Sequence, residues 1–392
     1  MELGRPRLLF LVTEDWYFWS HRVGLALAAR DEGFEVLVAA RAGPCAERIQ
    51  RAGLRLLPLR MLRRGAPGLR DMAAVAEIFR IYRRVRPDLV HHVALKPVIC
   101  GSWAARLARV PGVVNAIAGL GSAFIGGGKG SWVVRAGLRP ALRAAVAIPG
   151  SVTIFQNRDD QADFSRAGIL GSGRAMVIRG CGVDTDLFAM SGEPQGPPVV
   201  MLPARMLWDK GVGEFVEAAR LVSRRGVTAR FVLVGMVDPT NPSAIPESQL
   251  RAWTDEGLVK WWGHRDDMPG TLAAAHLVVL PSYREGLPKV LLEAAASGRA
   301  IVATDVPGCR EIVRHGVNGL LVPPKDARAL ADAISSLVED RSFRQEAGRR
   351  GRHIVDGEFS LARIAGETIS AYREVIDGSL ASVVTRARRA RA

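Results

Sequence analysis

Short apolar runs alternate with longer stretches of helical period along most of the chain. Two series of such runs are separated by residues 191–198, whose Ser, Gly, Gln and Pro content is typical of a linker. Strands buried on both faces read as continuous apolar runs, and parallel strands need a crossover helix between them. The runs that we assign to strands are 8–12, 36–39, 89–91, 113–117, 152–155 and 176–178 in the first series, and 199–202, 231–234, 259–262, 277–280, 300–303 and 320–322 in the second.

The two series predict an α/β protein with two doubly wound, Rossmann-like domains that face each other across a cleft. We expect the domains at residues 1–190 and 191–358, followed by a helix at 359–378 and a disordered basic tail at 379–392. Ligands of open α/β sheets bind beyond the carboxyl ends of the strands. Candidate functional residues are therefore those that directly follow a strand.

Composition excludes several other classes of protein. The 392 residues carry a net charge of +15, which attracts phosphates, nucleic acid or anionic lipid without distinguishing them. The four Cys are far apart and the seven His show no H-x3-H spacing, so neither a disulfide framework nor a metal site is predicted. The apolar run 8–12 is too short for a signal-peptide core, and no window approaches the roughly 20 apolar residues of a membrane span. We expect a cytoplasmic protein that is soluble or peripheral on a membrane.

Residues 281–293 join a predicted strand to a predicted helix through a loop that holds Glu, Gly, Pro and Lys. A helix N-terminus binds anions through its unpaired N–H groups, and Pro288 suits the first helical position. Glu285 before the helix and Glu293 within it have seven residues between them. Because carboxylates accept hydrogen bonds from sugar hydroxyls, a phosphate site flanked by two acids describes a nucleotide-sugar site.

Four segments in this half of the chain resemble one family of enzymes. Glu285 and Glu293 match the E-x7-E pattern of retaining GT-B glycosyltransferases of family 4, and 205–211 (Arg-Met-Leu-Trp-Asp-Lys-Gly) is similar to the family's diphosphate-binding segment. Residues 182–188 resemble the segment that ends the first domain of the family, and 316–322 resemble its late glycine turn. The four matches occur in family order and span roughly residues 180 to 325.

The resemblance implies a role for each matched residue. Arg205 and Lys210 bind the pyrophosphate and its leaving-group charge, Glu285 lies by the donor sugar, and Glu293 binds the ribose hydroxyls. The loop 263–268 lies under a nucleobase, most often uracil in this family. The scheme needs no metal and no cofactor, and the anomeric configuration is retained. The remaining donor-binding residues implied by the resemblance are Gly286, Leu287, Pro288, Lys289, Val290 and Arg265. The resemblance also implies that the helix at 359–378 crosses back to the first domain.

The first half of the chain offers less specific candidates for the acceptor side. Residues 13–22 follow the first predicted strand and include Trp16 and His21, which either stack on sugar faces or form the buried start of a helix. His92 and Lys96 follow another strand and either contact a ligand or have a structural role. Together with Gly119 and Gly121, they resemble the first domain of enzymes that extend bacterial polyprenyl-diphosphate-linked oligosaccharides. Where many family members have a His before the glycine after the fifth strand, this chain has Ala118.

A basic surface is predicted near these residues. The stretch 131–148 mixes Arg with Trp and aliphatic residues at helical spacing, which fits either a lipid headgroup layer or a solvated face of a packed helix. The nearby residues Arg60, Arg63, Arg64, Arg70, Arg80, Arg83, Arg84 and Arg86 add to it.

Together these features lead us to expect a retaining transferase at the inner face of the plasma membrane. It would move a hexose or N-acetylhexosamine from a nucleotide sugar, expected to be UDP-linked, to a polyprenyl-diphosphate-linked saccharide in bacterial surface glycan assembly. A basic nucleic-acid-binding protein and a GT-B isomerase or hydrolase of nucleotide sugars are the alternatives.

Overall fold

The computed structural model describes residues 5–62, 69–119, 129–171 and 173–389. The chain divides into two compact units. The first unit contains the chain up to Cys181 and, in addition, the chain from Leu361 onward. The second unit is Gly182–Ser360, so it begins before residue 191, where the sequence placed the boundary.

The first unit is built on a parallel sheet of seven strands in the order β3-β2-β1-β4-β5-β6-β7. Five of the six predicted apolar runs lie wholly inside strands, and the sixth overlaps β7. The short edge strand β3 was not predicted, because only Leu56 and Leu57 in it are apolar. The strands are β1 Arg7–Glu14, β2 Glu35–Arg41, β3 Arg55–Pro58, β4 Leu89–Val93, β5 Gly112–Ile117, β6 Val152–Phe155 and β7 Arg174–Val177.

Helices cover both faces of this sheet. One apolar core joins the sheet to α2 and α15, and another joins it to α4 and α5. The helices are α1 Asp15–His21, α2 Val23–Asp31, α3 Ala46–Arg51, α4 Leu69–Val85, α5 Leu95–Ala108, α6 Lys129–Val146, α7 Arg158–Arg166 and α15 Leu361–Arg389.

The last helix belongs to the first unit, as the family resemblance implies. Tyr372 of α15 is fully buried, and its hydroxyl is hydrogen-bonded to Nδ1 of His91 in β4. The helix runs to Arg389, where the sequence analysis predicted a disordered tail from residue 379. Net positive charge suggested disorder, but Ala and Arg are among the strongest helix formers, and they dominate residues 386–391.

The second unit has a parallel sheet of six strands in the order β10-β9-β8-β11-β12-β13. The strands are β8 Val199–Pro203, β9 Arg230–Val234, β10 Lys260–Trp261, β11 Leu277–Leu280, β12 Ala300–Thr304 and β13 Gly319–Val322. The helices are α8 Val212–Arg224, α9 Glu247–Asp255, α10 Met268–Ala273, α11 Lys289–Ala296, α12 Cys309–Ile312, α13 Ala327–Glu339 and α14 Arg341–Glu358. The prediction of two doubly wound α/β domains is confirmed.

The strand order of the second unit reverses between β8 and β11. From β8 the chain moves outward to β9 and β10, and from β11 it moves outward in the other direction to β12 and β13. The carboxyl ends of β8 and β11 therefore flank a topological switch point, where open α/β sheets bind ligands.

Candidate functional site

Two loops meet at the switch point of the second unit. Residues 204–211 follow β8, and residues 281–288 follow β11. The Tyr283 N–H donates to the carbonyl oxygen of Asp209 at 3.0 Å. Gly211 has φ +72°, and a Cβ there would lie 2.1 Å from the carbonyl oxygen of Pro281. Only glycine permits both this backbone conformation and this approach.

The contact brings together two of the residues predicted to be catalytic. Nζ of Lys210 lies 2.5 Å from Oε1 of Glu285, and the two side chains are 22 % and 11 % exposed. The residues are 75 positions apart in sequence. The fold thus places a cation and an acid side by side at the strand ends.

The second acid of the E-x7-E pattern also has a cationic partner. Nζ of Lys289 lies 2.5 Å from Oε1 of Glu293, one turn along α11. Glu293 is buried, and burial raises the pKa of its carboxyl, an effect that the ion pair with Lys289 opposes. Pro288 was predicted at the first helical position. It is instead the N-cap residue, in extended conformation, and the helix begins at Lys289.

Arg205 lies on the loop after β8 and is held from the side of β9. Its Nη1 donates to Oδ2 of Asp238 at 2.8 Å. The Arg205 side chain is 38 % exposed, whereas that of Asp238 is 12 % exposed. Arg205 therefore keeps part of its guanidinium open to a ligand.

The segment predicted to lie under a nucleobase follows β10. The guanidinium of Arg265 lies 5.5 Å from the ring centroid of Trp262, a cation–π distance. A cavity of about 830 Å³ opens at the strand ends of β9 and β10, and its walls mix apolar side chains with backbone and a few polar groups. These walls include Met236, Val237, Asn241, Trp261, Gly263 and His264.

Sequence reasoning missed Tyr283 and Lys325, which contact each other where the loop after β11 meets the loop after β8. The Tyr283 hydroxyl donates to Oε1 of Glu214 at 2.6 Å, and burial together with this bond raises the pKa of Tyr283. Nζ of Lys325 lies 4.8 Å from the centroid of the Tyr283 ring. Tyr283 and Lys325 come shortly after β11 and β13, so the rule that flags residues at strand ends would have found both.

In the first unit His92 does not follow its strand, as the sequence analysis expected, but lies within it. The strand β4 extends to Val93, two residues beyond the predicted run, so His92 lies inside the sheet and is fully buried. Its Nε2 is hydrogen-bonded to the Tyr82 hydroxyl at 3.0 Å, and its Nδ1 to Oδ1 of Asn115 at 2.8 Å. His92 has the structural role that the sequence left open.

Burial lowers the pKa of His92 to about 4. At His92 the unfolded chain takes up a proton near pH 6.5, whereas the folded chain takes it up only near pH 4. The neutral His92 therefore contributes fully to the free energy of unfolding above pH 6.5, and this contribution is lost as the pH falls toward 4. Between pH 7.5 and 4.5 we expect His92 to account for about 2–3 kcal/mol of lost unfolding free energy. Urea unfolding at the two pH values should show a smaller difference for His92→Gln than for the unchanged chain. The exposed His353 provides the control, since His353→Gln should leave the difference unchanged, and a full difference in His92→Gln would contradict this origin.

The other acceptor-side candidates gather near the carboxyl ends of β1, β4 and β5. Trp16 and His21 lie on α1, half-buried, and both rings contact Tyr17, at centroid distances of 6.0 Å and 4.4 Å. Nζ of Lys96 on α5 lies 2.8 Å from Oδ1 of Asp71. Gly119 follows β5 with φ +100°. Gly121 lies outside the described residues.

Solved structures share this architecture. The crystal structure of Anabaena HepE in complex with UDP and glucose superposes with a TM-score of 0.73, covering 93 % of this chain and 99 % of that chain at 22 % identity. Sucrose-phosphate synthase from Thermosynechococcus elongatus gives a TM-score of 0.78 over 95 % of this chain and 100 % of that chain at 19 % identity. The fold of this chain is therefore the GT-B fold.

Family models match most of both sheets. Residues 7–148 match the model described as glycosyl transferase 4-like, and residues 197–340 match the model described as glycosyl transferases group 1. Over these residues the chain belongs to the glycosyltransferases that the two models describe.

Characterised relatives extend over most of the chain. One is the Campylobacter jejuni N,N'-diacetylbacillosaminyl-diphospho-undecaprenol alpha-1,3-N-acetylgalactosaminyltransferase, 29 % identical over 86 % of this chain and 91 % of its own length. Another is the Escherichia coli UDP-Gal:alpha-D-GlcNAc-diphosphoundecaprenol alpha-1,3-galactosyltransferase, 24 % identical over 79 % of this chain and 81 % of its own length.

Proposed function

We propose that the protein transfers a hexose or N-acetylhexosamine from a UDP-sugar to a polyprenyl-diphosphate-linked saccharide in bacterial glycan assembly, with retention of the anomeric configuration. The observation that carries this proposal is the contact of Lys210 with Glu285 at the switch point of the second unit. It joins the two sequence patterns of the resembled family in one place. In this proposal the second unit binds the donor and the first unit binds the acceptor.

The departing nucleoside diphosphate is the part of the reaction that this arrangement serves. Arg205 offers a planar set of donors to the phosphates, and Lys210 offers a compact charge. The backbone of Gly286, Leu287, Pro288, Lys289 and Val290 brings the N-terminus of α11 to the same loop. These groups supply positive charge at the leaving phosphate, so the reaction needs no divalent cation.

The two acids are proposed to hold the sugars. Glu285 lies at the loop where the donor sugar would meet Lys210, and Glu293 lies one helical turn beyond Lys289. Each acid contacts a lysine through Oε1. Because a carboxylate has two acceptor oxygens, it can also accept hydrogen bonds from sugar hydroxyls. The cavity at the ends of β9 and β10, beside Arg265, suits a flat base between apolar walls.

The acceptor class is supported by the names of two relatives, which both act on diphospho-undecaprenol-linked sugars.

Incubating the full chain with labelled UDP-sugars and a synthetic polyprenyl-diphosphate sugar tests the proposal. We expect a product extended by one sugar, with undiminished yield in EDTA. Release of sugar from the donor alone, at the rate of transfer, would instead favour the isomerase or hydrolase alternative. Tight nucleic-acid binding without any binding of UDP would favour the alternative of a basic nucleic-acid-binding protein.

We further propose that the first unit binds the surface of an anionic membrane. None of the helices in the described residues combines the length and the apolar character needed to span a bilayer. The helix α5 packs against α4 and α6 and exposes Trp103 and Leu107, which are 43 % and 62 % exposed. Exposed arginines lie on these three helices, namely Arg80, Arg83, Arg84, Arg106, Arg139 and Arg143. Two more lie next to α4: Arg86 follows it in sequence, and the N–H of Arg60 donates to Glu77 in it. Arg63, Arg64 and the side chains of Arg70 and of residues 131–137 lie outside the described part of the chain.

Sedimentation with lipid vesicles tests this surface. Replacing both Trp103 and Leu107 by Ala should weaken binding to vesicles with anionic lipid by about 30-fold or more, since each buried apolar side chain contributes on the order of 1–2 kcal/mol. Leu187, 60 % exposed in the second unit, provides the control, and Leu187→Ala should bind as the unchanged chain does. Equal binding to neutral and anionic vesicles would argue against the role of the arginines.

A further inference from the structure

The loop 235–246, which connects β9 to α9, wraps around the Arg205 loop. The N–H of Met206 donates to the carbonyl oxygen of Met236 at 3.0 Å, and the N–H of Ile245 donates to the carbonyl oxygen of Met206 at 3.0 Å. Ser243 accepts two more bonds, at its carbonyl oxygen from Trp208 at 2.8 Å and at its hydroxyl from Asp209 at 3.1 Å. The Arg205 loop therefore has its backbone fixed from the side of β9.

Asp238 is the acid that this loop places against Arg205. Its Oδ1 accepts from the Thr240 hydroxyl at 2.7 Å within the same loop, and its Oδ2 accepts from Nη1 of Arg205 at 2.8 Å. The Asp238 side chain is largely buried, whereas the Arg205 side chain is more than one-third exposed. The negative charge is thus fixed by its own loop, and the arginine is the partner that reaches toward solvent.

The two cations assigned to the diphosphate each have an acid partner, and so does the donor-side residue Lys289: Arg205 has Asp238, Lys210 has Glu285, and Lys289 has Glu293. Two of these acids are proposed to hold sugar hydroxyls. Asp238 has no such role in the proposed function, and a fixed carboxylate beside an anion site opposes the binding of that anion. Its position calls for another explanation.

We propose that Asp238 has two effects on Arg205. It is a positioning residue, because it holds one nitrogen of the guanidinium and leaves the other donors directed at the phosphates. It is also a counter-charge that weakens the hold on the nucleoside diphosphate product and so speeds product release, a step that limits turnover in many enzymes. This inference rests on the proposed function, since it assumes that Arg205 binds the diphosphate.

Titration calorimetry with UDP on the full chain tests the counter-charge. Asp238→Asn keeps an oxygen for Arg205 and removes the charge, so we expect the Kd for UDP to fall about tenfold. The matched control is Asp332→Asn, which removes the partner of Arg225 in a surface ion pair of 2.6 Å. The control should leave the Kd unchanged. Thermal unfolding without ligand confirms that each variant is folded.

Single-turnover transfer tests the positioning effect. Asp238→Asn should retain the rate of sugar transfer within about twofold while its steady-state kcat falls, because product leaves more slowly. Asp238→Ala loses the bond as well as the charge, so its single-turnover rate should fall about tenfold.

Several results would overturn the inference. A Kd for UDP in Asp238→Asn equal to or above that of the unchanged chain would refute the counter-charge. Equal single-turnover rates in the Asn and Ala variants would refute the positioning effect. If the unchanged chain binds UDP and transfers sugar, either failure leaves the proposed function intact, whereas absence of UDP binding to the unchanged chain would remove both.

Discussion

Turnover should fall by about 100-fold or more when Arg205 or Lys210 is replaced by Ala. Either change removes a charge that is positioned before the reaction and that stabilises the leaving phosphate, and single donors of this kind contribute such factors. Arg205→Lys should recover only part of the loss, because an ammonium cannot reproduce the planar fork of a guanidinium. The measurement is kcat for transfer from a UDP-sugar, with folding checked by circular dichroism.

Arg225 offers the matched control for these variants. It belongs to the same unit and is paired with Asp332 at 2.6 Å, and both side chains are more than one-third exposed. Arg225→Ala should retain turnover within about twofold, since exposed ion pairs contribute little. Unchanged turnover in both Arg205→Ala and Lys210→Ala would show that neither residue stabilises the leaving group.

A second large effect is expected from Gly211→Ala. The added Cβ would meet the carbonyl oxygen of Pro281 at 2.1 Å, in a backbone conformation that L residues adopt at a cost. The loops after β8 and β11 must then move apart, which separates Lys210 from Glu285. We expect a loss of about 3 kcal/mol of unfolding free energy and a fall in turnover of about 100-fold, because displacements on the order of 1 Å have such effects. Urea unfolding and kcat measure the two losses.

Gly257 distinguishes the two causes of that loss. It has φ +75°, close to the φ of +72° at Gly211, but no atom lies within 4 Å of a Cβ placed on it. Gly257→Ala should therefore cost only the conformational part, about 1 kcal/mol, and leave turnover unchanged. Similar losses in the two variants would mean that the contact with Pro281 is unimportant.

The sequence predicts the sheets well because their strands are parallel and buried. A short continuous apolar run such as 277–280 is typical of a buried strand, and it coincides with β11. The same rule underestimates strands that contain buried polar residues. His92 follows the apolar run of β4 but still belongs to the strand, and this is why it was assigned to the wrong place.

The candidate site is predictable in its location but not in its contacts. A Lys after one strand and a Glu after another are placed together by the switch point, so their meeting follows from topology. The partner of Arg205 depends instead on the path of the loop 235–246, which no periodicity encodes. The short turn from Thr240 back to Asp238 decides that partner. Local loop geometry of this kind becomes visible only in three dimensions.

The membership of α15 in the first unit has a consequence for biosynthesis. Strands β1 to β7 leave the ribosome well before Leu361, yet their core is completed by Tyr372 and Val375 from near the end of the chain. At about 5–20 residues per second, the amino-terminal sheet waits on the order of ten seconds or more for that covering helix. During this interval the part of its apolar face that α15 covers stays exposed to solvent, and a nonsense codon that removes only the last helix would impair the half of the protein that was translated first.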